Sequence, residues 1–207
     1  MHDRKGIGWI IVGILLIMAA FSLTAFNRSE AEKAGENAAQ EAEILTDMIP
    51  PTTKRNDLTE EEDVPDYVLN PDMEMPTEII DGQEYIGILK IPSLELELPV
   101  ISEWSYPALR IAPCRYAGTA YKGNFIIAAH NYTSHFGKLK NLRMRDTITF
   151  IDIDGNEFNY EVADIEILAP TAVEDMESGE WDLTLFTCTI GGQSRVTVRC
   201  EKKVQKM

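Results

Sequence analysis

The sequence predicts an all-β domain closed into a small barrel with only short helices, carried behind a transmembrane helix and a stalk. Three observations predict it. Residues 6–26 contain no charged side chain, and residues 27–80 are acidic and gather prolines towards their end. From residue 81 onward the chain breaks into short apolar or alternating runs separated by turn signals. Seven or eight strands in about 127 residues point to a closed barrel, because closure removes exposed edges.

The apolar run comes first. As a helix, residues 6–26 span roughly 31 Å at about 1.5 Å per residue, which matches a bilayer core. Arg4 and Lys5 precede the run, and Glu30, Glu32 and Glu36 follow it, so the amino terminus is expected on the cytoplasmic side. A cleaved signal peptide would have a shorter apolar region and a small-x-small cleavage site; here bulky Phe26 stands at that place. The expected organisation is a cytoplasmic tail at 1–5, a retained transmembrane helix at 6–26, a stalk at 27–80 and an extracellular domain at 81–207. The localisation that follows is the cell membrane, single-pass, with membrane lipid as a partner of residues 6–26.

The net charge of −15 is unevenly spread. Residues 28–80 carry 15 acidic and 4 basic side chains; residues 81–207 carry 18 and 13. Like charges keep a stalk extended and solvated. Residues 29–47, rich in Ala and Glu, predict a juxtamembrane helix of modest stability that Pro50 and Pro51 stop. Beyond it, the run Glu60-Glu-Glu-Asp63 and prolines 65, 71 and 76 read as a disordered spacer. No nucleic acid is expected, because there is no basic stripe and the pI is about 4.6.

Within the domain, residues 84–91 form the first strand and run into Pro92-Ser93, and residues 94–98 alternate Leu and Glu as a strand with one wet face. Residues 104–110 predict a short helical turn. Residues 125–129 are apolar on both faces, as in a central strand. Residues 147–152 and 156–165 flank Asp154-Gly155, a hairpin signal. Residues 183–188 and 195–199 complete the set.

That last hairpin carries the chemistry. With Cys188 facing Arg195, antiparallel counting sets Thr187 against Val196, Leu185 against Val198 and Leu183 against Cys200, which is one apolar face. The other face carries Cys188, Phe186 and Thr184 opposite Arg195, Thr197 and Arg199. A slip of one residue would scramble this segregation. A nucleophile and a fixed cation therefore sit side by side, about 4.8 Å apart between strands. Upstream, the apolar strand from Asn124 ends on His130. Thiol, imidazole and guanidinium are the parts needed for acyl transfer through a thioester.

These pieces resemble the sortases, membrane-anchored cysteine transpeptidases of Gram-positive cell surfaces, over residues 84–201. Gly87-Ile-Leu-Lys-Ile-Pro92 with Leu98-Pro99-Val100 resembles the opening strands, and Gly123-Asn-Phe-Ile-Ile-Ala-Ala-His130-Asn131 the histidine strand. Leu183-Thr-Leu-Phe-Thr-Cys188 with Arg195 resembles the cysteine and arginine elements. Ala128-Ala129-His130 stands where the family more often has Ala-Gly-His. The resemblance implies an eight-stranded sortase-type barrel with three residues converging on a groove. It implies Cys188 as nucleophile, His130 as general acid and base, and Arg195 as the group that holds the oxyanion or a peptide carbonyl. Thr187, Asn131 and Ala129 are candidate substrate contacts. The implied substrates are secreted proteins bearing a carboxy-terminal Leu-Pro-x-Thr-Gly-type sorting signal, and the acceptor is an amine of a peptidoglycan precursor or a pilin. The fifteen or so residues between Leu168 and Leu183 leave no room for a class B helical insertion, and no Asp-Pro-aromatic lid of class C is present, so a class A, D or E-like type is expected.

Alternatives stand beside these assignments. His135 competes with His130, and Arg199 competes with Arg195 unless it is a solvated surface charge. His2 falls on the cytoplasmic side. Cys114 and Cys200 can pair or remain buried thiols. No cofactor is expected; Glu174, Asp175, Glu177, Glu180 and Asp182 could recruit calcium, yet they lack a defined ligand spacing and read as loop solvation. Three rival functions are a cysteine peptidase that hydrolyses its acyl-enzyme, a non-catalytic binding barrel, and a degenerate family member.

Overall fold

A computed structural model describes residues 3–51, 64–178 and 181–203. Among these, nine strands form one sheet: β1 (Glu78–Ile80), β2 (Gln83–Ile91), β3 (Leu96–Ile101), β4 (Cys114–Ala117), β5 (Phe125–Ala128), β6 (Thr147–Asp152), β7 (Glu157–Leu168), β8 (Leu183–Cys188) and β9 (Arg195–Lys202). Their order is β1-β2-β3-β4-β5-β8-β9-β7-β6, and a further β2–β6 pairing closes it. Strands β2 to β9 are therefore the eight-stranded barrel expected from the sequence, and β1 is a short addition to β2. Closure depends on one glycine. At Gly87 the φ is 148° and a Cβ would lie 2.0 Å from the Ile151 carbonyl oxygen, so only a residue without a side chain lets β2 meet β6 there. A bulge between Tyr85 and Gly87 marks the same point.

Alternation along the strands divides the apolar residues into layers. The barrel interior holds Ile86, Leu89, Val100, Phe125, Ile127, Phe150, Phe158, Leu183, Leu185 and Val198. A second cluster outside β2 and β3 joins Tyr85, Ile88, Ile101 and Cys114 to Leu45. A third, small cluster lies on the outer face of β5 and β8 and comprises Ile126, Ala128, Phe186 and Met176. That last patch leads to the candidate site.

Helix α1 (Asp3–Met48) is continuous through the apolar run, and it is the one helix among the described residues long and apolar enough to cross a membrane. The juxtamembrane helix was expected from composition to be an element of modest stability. In the structure it extends α1 and buries Ala34, Ala38, Ala42 and Leu45 against the barrel. Those residues recur every three or four positions, which is one helical face. The Tyr85 hydroxyl donates to the Glu41 carboxylate, which fastens the helix to β2. Part of the expected spacer is also structured. Residues 66–69 form α2 (Asp66–Leu69), Tyr67 stacks on Tyr121 at 4.8 Å, and Met75 is buried in the main core. The acidic run at 60–63 lies outside the described residues.

Candidate active site

Strands β5 and β8 run parallel, with Ala128 level with Phe186, and β9 returns antiparallel beside β8. The carboxy-terminal ends of β5 and β8 and the start of β9 therefore share one rim of the barrel. His130 follows β5 by two residues, Cys188 ends β8 two residues past Phe186, and Arg195 opens β9. His130 follows the end of β5 and Cys188 ends the neighbouring β8, so the parallel pair brings the two chain segments out at the same end of the barrel. The pairing of Cys188 with Arg195 is the one that the hairpin's sequence requires, and each of the other pairs from Thr187–Val196 to Leu183–Cys200 follows it.

Thr187 ties the two parallel strands together. Its hydroxyl donates to the Ala129 carbonyl at 2.8 Å, and the Ala129 amide donates to the Phe186 carbonyl at 3.2 Å. The Thr187 and Ala129 side chains are both buried, so of the three candidate substrate contacts only Asn131 is exposed. Thr187 is thus a strut between the histidine strand and the cysteine strand. The loop of the hairpin is held by Thr189 and Ser194, whose backbone and hydroxyl groups bond one another across its neck.

The three cysteines are all free, and only Cys188 is exposed. Cys114 and Cys200 lie in different apolar clusters, and burial pushes each thiol up to about 12. That keeps them protonated and inert at neutral pH. The pairing left open by their spacing is absent.

Arg195 lies with its guanidinium carbon 5.4 Å from the centroid of the Phe186 ring, and its Nε is buried without a hydrogen-bond partner. A buried donor with no acceptor is costly unless a ligand supplies one. Arg199, the competing guanidinium, is fully committed. Its Nε donates to Glu166 at 2.7 Å, and its terminal nitrogens donate to Thr184 Oγ1 and to the carbonyls of Asp175 and Met176. Only 2% of it is exposed, so it is neither a catalytic group nor the solvated surface charge expected. Its role is to pin α4 (Val173–Glu177) over the hairpin's base by taking the helix's carbonyls. Among the acidic residues of that region, Asp182 is occupied too, with Oδ2 accepting the Lys202 amide at 2.6 Å.

The two candidate histidines separate in the same way. His135 is fully buried, and burial lowers it to about 4, offset in part by the Ala34 carbonyl; its ring nitrogens make no hydrogen bond of ordinary geometry. A side chain with no exposed surface cannot reach a substrate. His130 is only half-buried. Burial lowers its pKa first, the nearby Arg110 lowers it further, and Glu30 of α1 opposes both.

The outer patch continues from these residues as an aromatic wall. The Tyr116 ring meets Phe186 edge-on at 5.2 Å, and Trp104 packs against Tyr116 at 5.7 Å and against Tyr106 at 5.8 Å. With Ile126, Ala128 and Met176 they form an apolar strip leading to Cys188 and Arg195. Sequence reasoning missed Tyr116 and Trp104 as parts of the site, because Tyr116 sits on the unrecognised strand β4 and Trp104 precedes α3 (Tyr106–Leu109). The one signal was the cluster of three aromatic residues between positions 104 and 116. Glu30 and Arg110, which act on His130 from two helices, carried no local signal at all.

An exposed thiol, a half-buried imidazole and a guanidinium whose Nε has no acceptor thus gather at one end of the closed eight-stranded barrel, the residue types that acyl transfer through a thioester needs. A family model described as "Sortase domain" matches residues 89–203, more than half of the chain, and the chain belongs to the sortase family. Sortase A of Bacillus anthracis is 31% identical over 125 residues, covering 57% of this chain and 59% of that protein. The chain therefore spans under two thirds of that relative's length. Sortase C1 of Streptococcus suis is 25% identical over 59% of this chain and 74% of the other, with a TM-score of 0.52. Sortase C1 of Streptococcus agalactiae, 23% identical over 62% and 72% of the two chains, shares the fold at a TM-score of 0.55.

Proposed function

We propose that this protein is a membrane-anchored transpeptidase that cleaves a Leu-Pro-x-Thr-Gly-type sorting signal and joins the carboxy-terminal threonine to an amine acceptor. The observation that carries the reading is the pairing of exposed Cys188 with Arg195, whose buried Nε lacks an acceptor. The sorting peptide lies along the apolar strip of Phe186, Tyr116, Ile126 and Met176, with Asn131 at the histidine end. The Cys188 sulfur, its proton on His130, attacks the threonine carbonyl carbon. Arg195 donates to the oxyanion while it exists; removing one such donor in an acyl-transfer site costs about 10²–10³ in rate. As the carbon–nitrogen bond breaks, His130 returns its proton to the departing glycine amine. The thioester is then attacked by the acceptor amine, His130 takes the amine's proton, and the sulfur leaves as thiolate.

The anchor completes the reading. Residues 6–26 cross the membrane with the amino terminus in the cytoplasm, and the barrel works outside, on secreted proteins and on a peptidoglycan-precursor or pilin amine. The test is incubation of the full chain with a sorting-peptide library and a glycine or diamino acid nucleophile, followed by mass spectrometry. Ligated peptide is the expected major product, with a thioester adduct on Cys188. Hydrolysed peptide as the main product would make the protein a peptidase, and no adduct on Cys188 would leave a binding barrel.

A further inference from the structure

The catalytic histidine sits in a loop that is packed from two sides. Below, Phe136 is fully buried in the barrel core, and its amide donates to the His130 carbonyl at 3.2 Å. Within the loop, the His135 and Gly137 amides both donate to the Tyr132 carbonyl at 2.9 Å. The other side is covered by the first turns of α1 beyond the apolar run. The Ser134 hydroxyl donates to the Ala31 carbonyl at 3.3 Å. Gly35 lies so close that a Cβ built there would stand 2.6 Å from Ser134 Cβ and 2.8 Å from its Oγ. Beside them His135 is sealed with no exposed surface, and Glu30 bears on His130 from the same helix.

This contact is made with the histidine loop and not with the apolar cluster of Ile126, Ala128, Phe186 and Met176. What it constrains is the loop that presents the imidazole. We propose that the turn from Glu30 to Gly35 is a positioning element for His130, seated through Gly35 on Ser134, so that the membrane anchor and the catalytic histidine move as one rigid unit. The inference rests on the transpeptidase reading for its activity arm only. Placement is what such an arm governs, because a misplacement of about 1 Å can cost on the order of 100-fold in rate.

The small residue makes the idea testable. Alanine is a better helix former than glycine, so Gly35→Ala would strengthen α1 if the helix were merely a tether. If instead Gly35 is the seat, the added methyl group pushes Ser134 and its loop away. In full-length protein in nanodiscs, Gly35→Ala should lower the rate of acyl-enzyme formation at least tenfold, with KM for the sorting peptide changed less than threefold. The double variant Gly35→Ala/Ser134→Gly removes both atoms in the way and should recover to within threefold of wild type. A Gly35→Ala enzyme at the wild-type rate, a loss that Ser134→Gly does not rescue, or a rise in KM matching the loss would each overturn the proposal.

A second arm needs no turnover. The charged and titratable groups around His130 are Glu30 on α1, Arg110 at the end of α3, and Tyr132 and His135 in its own loop. Glu30 is the one of these that raises His130 towards the charged form from α1. In an NMR titration of labelled histidines, Glu30→Gln should move the His130 midpoint to lower pH by a few tenths of a unit or more. An unmoved midpoint would show that α1 does not hold its place over the loop and would overturn the proposal. Wild-type protein that forms no acyl-enzyme would sink the transpeptidase reading, and the titration would still decide this one.

Discussion

Arg195 and Arg199 lie on the same strand and the same face, four residues apart, yet one is open and the other closed. Arg199 is 2% exposed and donates to a carboxylate, a hydroxyl and two carbonyls; Arg195 has a buried Nε with no acceptor and rests on an aromatic ring. Alternation in β9 cannot distinguish them. The difference is cover: α4 lies over the base of the hairpin and stops short of its rim. The histidines repeat the contrast, since His135 is sealed under α1 while His130, five residues earlier, stays half-open. In these two pairs the residue that a helix covers is structural, and the one beyond the cover is available for chemistry.

The largest effect should come from Cys188, the proposed nucleophile. Cys188→Ala should abolish acyl-enzyme formation while leaving thermal stability unchanged, because the residue is exposed and its removal leaves no buried cavity. Intact mass after incubation with a sorting peptide checks the first part and a melting curve the second. Adduct formation on Cys114 or Cys200 in that variant would break the comparison, since both are covered thiols.

Next come the arginines, which should fail in opposite ways. Arg195→Ala should lower kcat/KM for acylation by about 10²–10³, or roughly 3–4 kcal/mol of transition-state stabilisation, with stability within about 0.5 kcal/mol. Arg199→Ala should cost on the order of 3 kcal/mol of stability. It strands two carbonyls and the Thr184 hydroxyl and breaks a buried pair, at the low end of the usual 3–5 kcal/mol because Glu166 is 36% exposed. The folded fraction of that variant should keep its acylation chemistry and lose peptide affinity, as Met176 of the groove floor loosens with α4. Equal kinetic losses in the two variants would end the distinction between rim and base.

The hairpin register was legible in the sequence because burial selects it. Leu183, Leu185, Val196, Val198 and Cys200 must share the interior, and only one pairing allows that. β5 was legible as a continuous apolar run, and the β6–β7 hairpin from Asp154-Gly155. Two strands were not. β1 is three residues long, and β4 (Cys-Arg-Tyr-Ala) meets β3 at the single pair Ile101–Cys114, so neither has room for a period to show. The docked half of α1 was hidden because its buried face is made chiefly of alanine, which signals helix without signalling contact. Arg199 was misread for a related reason. A charged residue on an outer face is solvated by default, and only the tertiary placement of α4 reverses that. Cover is a long-range property, and the residues that provide it are distant in the chain from those they cover.

The smallest effect concerns the sealed histidine and is read in stability alone. His135 is lowered from 6.5 to about 4 by burial, so the folded state refuses a proton that the unfolded chain accepts. Stability from this source is whole above pH 6.5, falls as pH drops from 6.5 towards 4, and is flat below. At about 1.36 kcal/mol per unit, the full loss is on the order of 3 kcal/mol, of which roughly 1 kcal/mol is gone by pH 5.5. His135→Leu removes the titrating group, so the difference in unfolding free energy between wild type and variant isolates it from every other ionisation. Chemical denaturation in detergent at pH 7, 5.5 and 4 should show the variant gaining on wild type at each step down. A difference that stays constant with pH would mean that His135 takes up its proton in the folded protein as readily as in the unfolded chain. Water would then reach it, the seal between α1 and the loop would be open, and the covered histidine would no longer differ in kind from the one at the rim.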